Sequence, residues 1–194
     1  MKIPPIIISG MAAVGKSTLA RRIAKKFGLK YVCGGDILKE IAREDGYNPT
    51  DEGWWETEEG MEFLRRRQRN PAYDRKLDAK LIEIAKKGDC VLTSWSLPWI
   101  YKGKAIKIWL DASEETRAKR LANRDKIDLS TAFRIIKQRD VENIKLYKKI
   151  YGFELGKDLS VFDLVIKTDG KNADEVEKEV TKFLVKLLKK LVKK

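Results

Sequence analysis

The fold is decided between Ile3 and Ser17, where IPPIIIS (residues 3–9) is followed by GMAAVGKS (residues 10–17). The first half is a nearly continuous apolar run, as a parallel strand buried on both faces requires. The second half has the form G-x-x-x-x-G-K-[ST], whose glycines let backbone N–H groups wrap phosphates without a side-chain clash. From Gly15 onward the chain reads as a helix. Leu19, Ile23, Ala24 and Phe27 share one face, and Gly28 ends it. Strand, glycine loop and helix start, in that order, aim the positive end of a helix dipole at a bound anion. Gly10, Ala12, Ala13, Val14, Gly15, Lys16, Ser17 and Thr18 are therefore the expected nucleotide-phosphate residues. Lys16 is long enough to reach β- and γ-phosphates, and Ser17 offers its hydroxyl to Mg²⁺.

Working outward, strand-like segments recur at 30–33, 90–94, 105–110 and 161–166, with helical patterns between them. A helix from about Asp36 carries Ile37, Leu38 and Ile41. Another carries Leu77, Leu81 and Ile84 and ends at Gly88. A third begins after Asp111-Ala112-Ser113, residues 130–150 read as one long polar helix, and Val176, Val180, Phe183, Leu184, Leu187 and Leu191 stripe the last. Residues 46–71 read as less regular, closed by Pro71. This alternation predicts an α/β fold, a parallel sheet covered on both faces. No repeat or linker divides the chain, so residues 1–194 are expected to form one unit with insertions. The run that starts after residue 89 does not end in an acid, because CVLTSW places Thr93 and Ser94 there. Asp36, just past the second strand, is the expected metal-supporting acid beside Ser17, since carboxyl ends of parallel strands gather at the ligand edge.

Composition narrows the chemistry. The 194 residues include no histidine, which removes Ser-His-Asp and Cys-His catalysis and most zinc hydrolases. Cys33 and Cys90 are too few for a disulfide scaffold or a thiolate zinc site. No apolar stretch reaches the ~18 residues of a membrane span, and no cleavage-site pattern follows the N-terminus, so a cytoplasmic location is expected. Glutamine is confined to Gln68 and Gln138 amid abundant Glu, Lys and Arg, a mix that resembles heat-adapted proteins. Forty-two Lys and Arg against 29 Asp and Glu give a net charge of +13, which attracts polyanions and phosphorylated small molecules. Two local excesses stand out: Arg65, Arg66, Arg67 and Arg69, and the closing KKLVKK.

Phosphoryl transfer needs positive charge where the moving group spreads its own. Arg117, Arg120 and Arg124, at spacings of three and four, are expected on one helix face. Gln138-Arg139-Asp140 reads as an interruption of the long helix, and ANRDKIDLST (residues 122–131) as a polar lid turn. Here the sequence resembles a family. GMAAVGKSTLARRIAKKFGLKYVCGGDILKE is similar to the opening of nucleoside monophosphate kinases, and DASEETRAKRLANRD, QRDVENIKLYKKIYG and DLSVFDLVIKT resemble the archaeal-type cytidylate kinases. The resemblance covers the chain except about residues 46–70. It implies a P-loop NTPase fold with a five-stranded parallel sheet, an acceptor-binding insertion (36–88), a lid (117–140) and a core formed by 1–35, 89–116 and 157–194. It also implies ATP and Mg²⁺, a CMP or dCMP acceptor, and phosphate contacts from Lys16, Arg117, Arg120, Arg124 and Arg139. The acceptor side would comprise Gly35, Asp36, Lys39 and Trp95.

The departures are specific. Thr93-Ser94-Trp95 stands where such kinases usually read Glu-Gly-Arg, Lys39 and Leu146 stand where arginines are usual, and residues 53–70 add Trp54, Trp55 and four arginines. Lysine keeps the charge but loses bidentate geometry. Trp95 and Trp99 read equally as base-stacking surfaces or as core aromatics. A kinase of nucleic-acid ends or of another metabolite, a nucleic-acid-binding ATPase, and a non-catalytic nucleotide binder stay open as alternatives. So does the choice between monomer and dimer.

Overall fold

The computed structural model describes residues 2–50, 54–55 and 57–192. Their elements run β1 (Ile6–Gly10), α1 (Lys16–Phe27), β2 (Lys30–Cys33), α2 (Gly34–Glu44), α3 (Glu58–Arg69), α4 (Ala72–Lys87) and β3 (Cys90–Thr93). There follow α5 (Leu97–Ile100), β4 (Ile106–Asp111), α6 (Glu114–Asp125), α7 (Leu129–Tyr151), β5 (Leu164–Lys167) and α8 (Ala173–Val192). The five strands form one parallel sheet in the order β2-β3-β1-β4-β5.

The central strand explains the layering. Ile6, Ile7 and Ile8 are fully buried, and side chains alternate across a strand. Ile7 joins Leu38 and Ile41 of α2, Phe63 of α3 and Leu81 of α4. Ile6 and Ile8 join Leu19 and Ile23 of α1 with Val180 and Leu184 of α8. Each such side chain contributes about 1.5–3 kcal/mol relative to exposure. Pairing of Ile8 with Thr93 and of Gly10 with Leu110 brings the carboxyl ends of β1, β3 and β4 to one edge, from which the glycine loop and the turn carrying Trp95 emerge.

The structure corrects several local expectations. Strand β1 starts at Ile6, after Pro4 and Pro5, which lack the N–H a ladder needs. Residues 58–69, expected to be irregular, form α3. Thr57 accepts a hydrogen bond from the Gly60 N–H, Glu58 and Glu59 suit its first turn, and Phe63 and Arg67 face inward. The many charges of that stretch hide a narrow buried face. Gly60 is required there, because a Cβ would lie 2.0 Å from the Trp54 carbonyl oxygen. Helix α7 runs unbroken through 138–140, and the three side chains simply point three ways. Gln138 bonds Glu142 at the surface, Arg139 lines the cleft described below, and Asp140 turns toward the glycine loop. The expected lid is a helical hairpin whose turn is held by left-handed Lys126 and by Asp128, which caps α7. The Leu191 side chain and the end of KKLVKK lie outside the described side chains. Among the described residues, no helix is long and apolar enough to cross a membrane.

Candidate active site

Gly10 ends β1 so close to β4 that a Cβ there would meet the Leu110 carbonyl oxygen at 2.5 Å. Ala13 adopts a left-handed backbone (φ 59°), a conformation that costs a non-glycine residue about 1–2 kcal/mol. What holds this strained loop is a buried ion pair beneath it. The Arg117 guanidinium lies 2.7 Å from Asp140. The Ala12 N–H donates to Asp140 Oδ1 (3.4 Å), and the Ala12 carbonyl accepts from Arg117 Nη1 (3.2 Å). Beyond the loop, α1 has no acidic residue in its first turn, so its positive end is not neutralised locally.

The Lys16 ammonium donates to the carbonyls of Gly10 and Met11, 2.7 Å each. Burial, reinforced by the Arg139 cation and opposed by Asp140, lowers its pKa to about 7. A charge held against desolvation gains much from an incoming anion.

This loop forms one wall of a cleft of about 620 Å³. Ala12, Ala13, Val14, Gly15, Lys16, Ser17 and Thr18 line it, as do Gly35, Asp36 and Lys39 of α2 and Trp95. Arg120 and Arg124 of α6 and Arg139 of α7 line it too. Two expected residues do not line it: Gly10 at the end of the strand, and Arg117, which is a strut under the loop. Arg120 spans the cleft wall, donating to the Val14 carbonyl (3.1 Å), the Thr168 hydroxyl (2.9 Å) and the Thr168 carbonyl (2.7 Å). Arg124 grips its neighbour Asp125 through two bonds of 2.6 and 2.8 Å.

The acceptor side holds residues that sequence reasoning missed. Arg67, from the unexplained arginine cluster, is buried in a two-point bond to Asp74 (3.0 and 2.7 Å) and also donates to the Tyr147 hydroxyl (3.1 Å). Burial alone would lower its pKa, but Asp74 and Tyr147 hold it above its ordinary value. Arg67, Gln68, Tyr147, Asn143 and Trp55 all line the cleft. Arg67 and Asp74 lie on different helices across Asn70-Pro71, so no periodicity pairs them. The two tryptophans read alike in the sequence both pack against the Trp109–Tyr147–Leu155 cluster, but only one of them also reaches the cleft. Trp95 lines the cleft, whereas Trp99 stacks on Phe153 (4.7 Å, 10°) in the cluster beside β4. Trp54 is core, its indole N–H bonded to Glu59 (2.6 Å).

Ser17 and Asp36 both line the cleft and each offers a side-chain oxygen. Among the described residues, no group of three or more acidic or sulfur side chains is gathered to cage an ion. A donor set this sparse fits Mg²⁺, which takes one or two protein oxygens plus substrate phosphates and keeps its other waters.

Below this site, Asp78 accepts from the Ser96 and Tyr151 hydroxyls, both 2.6 Å away. Burial raises its pKa to about 6 despite those two bonds. The folded protein then binds that proton more tightly than the unfolded chain, so the stability from this group falls as pH rises from about 4 to 6. Asp78→Asn is expected to lose this dependence, with a melting midpoint relative to the parent protein that is higher at pH 7 than at pH 4. An equal offset at both values would contradict the assignment.

A phosphate cradle at a sheet edge, a lysine within it and a basic helical hairpin lining the same cleft define a P-loop kinase. A profile of the cytidylate kinase-like family matches residues 5–170. The cytidylate kinase of Pyrococcus horikoshii is 37% identical over 163 residues, spanning 84% of this chain and 79% of its own. That of Pyrobaculum aerophilum is 39% identical over 164 residues, spanning 84% and 83%. A shikimate kinase structure from Acinetobacter baumannii aligns with a TM-score of 0.56 over 95% of this chain and 94% of its own, at 18% identity, which shows a shared fold. The chain belongs to the cytidylate kinase-like family.

Proposed function

We propose that the protein transfers the γ-phosphoryl group of ATP to CMP or dCMP, releasing ADP and the nucleoside diphosphate. The observation that carries this reading is the continuity of one cleft from Lys16 to the Arg67–Tyr147 wall, beside relatives named cytidylate kinase. An acceptor phosphate is already a nucleophile at neutral pH. The site then needs position and charge rather than a histidine base. Lys16 would balance the β- and γ-phosphates, with Arg120, Arg124 and Arg139 stabilising the group in transit. Ser17 and Asp36 would hold Mg²⁺, which would supply positive charge to the transferring phosphates. Gly35, Asp36, Lys39 and Trp95 would receive the acceptor, and Arg67 would offer donors to its base. In this reading 36–88 is the acceptor insertion, 117–140 the lid, and the location cytoplasmic.

Of the four arginines that suggested a nucleic-acid partner, Arg67 is committed to Asp74 and Arg66 lies 3.9 Å from Asp45. The small acceptor is therefore the better-supported partner. The test is a panel of all monophosphates, common nucleosides and short RNAs with ATP and Mg²⁺. CMP and dCMP are expected to give the highest kcat/KM, and transfer to RNA ends alone would overturn the reading.

Two further outcomes follow from the geometry. Arg120→Ala and Arg124→Ala are expected to lower kcat by about 10²–10³-fold while ATP affinity stays within about threefold. Loss of ATP affinity alone would contradict the lid role. Because Lys16 titrates near 7, ATP binding at pH 8 should take up close to one proton, and far less at pH 6. Calorimetry in buffers of different ionisation enthalpy measures this, and no uptake at pH 8 would contradict a Lys16–phosphate contact.

A further inference from the structure

Trp95 does more than line the cleft. Its ring centroid lies 4.7 Å from the Lys16 Nζ, within the range at which an ammonium is attracted to an indole face. An ammonium has three N–H donors, and Lys16 directs two of them to the Gly10 and Met11 carbonyls. An arriving phosphate must therefore compete with the indole for what remains. The turn that presents Trp95 is firmly built. Its carbonyl accepts from the Ser9 hydroxyl (3.4 Å), Ser94 Oγ accepts from the Leu97 N–H (3.1 Å), and Ser96 is tied to Asp78. Ser94 and Ser96 are buried while Trp95 is half-buried, so its indole is the part of this turn offered to the cleft.

We infer that Trp95 is a positioning residue that latches the Lys16 ammonium in the empty enzyme, so that ATP phosphates and the indole compete for it. An acceptor entering against Trp95 displaces the indole and releases Lys16 to the phosphates. Acceptor binding thereby strengthens the ATP contact, and ATP alone meets a latched lysine and is hydrolysed slowly. This inference rests on the kinase reading of the cleft, with ATP at the Lys16 end.

The test compares Trp95→Phe, which keeps an aromatic face, with Trp95→Leu and Trp95→Met, which keep bulk without one. Affinity for ATP is measured by calorimetry without acceptor at pH 6, where Lys16 carries its charge, alongside acceptor-free ATP hydrolysis and the melting midpoint. The Leu and Met variants are expected to bind ATP about 5- to 10-fold tighter than the parent protein and to hydrolyse it faster by a similar factor. The Phe variant should stay within about twofold. CMP should tighten binding of a non-hydrolysable ATP analogue in the parent protein and lose that effect in the Leu and Met variants. Unchanged or weaker ATP binding in Leu and Met, or an equal shift in Phe, would overturn the latch. If the parent protein phosphorylated no acceptor, the proposed function would fail, while the comparison with ATP alone would still decide the latch.

Discussion

Lys16→Ala is expected to lower phosphoryl transfer by about 10³-fold without unfolding the protein. The activity loss follows from position, because Lys16 is the cation within the cradle itself and the transferring phosphate spreads its charge over oxygens that Lys16 would reach alongside the cleft arginines. The stability outcome follows from burial. The fold holds the ammonium where its pKa falls from the ordinary 10.5 to about 7. The unfolded chain then binds a proton between about pH 7 and 10.5 that the folded protein does not. The penalty from this group is accordingly full below pH 7 and fades toward pH 10.5. Removing the side chain relieves that penalty, so the melting midpoint of the variant, relative to the parent protein, should be higher at pH 6 than at pH 9. Transfer within tenfold of the parent protein would remove the loop assignment, and a reversed pH trend would remove the buried ammonium.

Arg117→Ala is expected to have the largest effect on stability. Arg117 and Asp140 are both nearly buried and joined at 2.7 Å, and together they hold both polar groups of Ala12. Removing the guanidinium leaves an uncompensated carboxylate inside the protein, which costs about 3–5 kcal/mol. For a chain of this size the midpoint should fall by roughly 6–20 °C. Activity should fall with it, since the strained Ala13 turn loses its support. The double variant Arg117→Ala, Asp140→Ala should recover part of the midpoint, because the orphaned charge is then gone. An Arg117→Ala protein that melts normally and loses only turnover would mean that Arg117 faces phosphate, as the helix-face spacing suggests.

The contrast between Arg117 and Arg120 shows what the sequence could carry. Spacing places both on α6, and the structure agrees, but which of them reaches the cleft depends on where Asp140 sits, 23 residues along. The loop itself was legible because its information is local: an apolar strand, glycines at fixed offsets and a helix start. The five strands were legible for the same reason, to within a few residues at each end. Helix α3 was not, because its buried face consists of little more than Gly60, Phe63 and Arg67 amid charge. In sequence Arg67 is one of four clustered arginines, and what singles it out is enclosure by Asp74 and Tyr147, from two other helices. The sequence flags Trp95 as unusual but leaves it undecided between base stacking and core, and only the assembled turn places its ring beside Lys16.

Phosphoryl transfer to CMP is tested most directly by following the label from γ-labelled ATP when the protein is supplied with Mg²⁺ and CMP. Label is expected in CDP, formed one-for-one with ADP and about 10³-fold more slowly with Lys16→Ala. Label appearing only as free phosphate, at the same slow rate with or without CMP or any other monophosphate, would contradict that transfer.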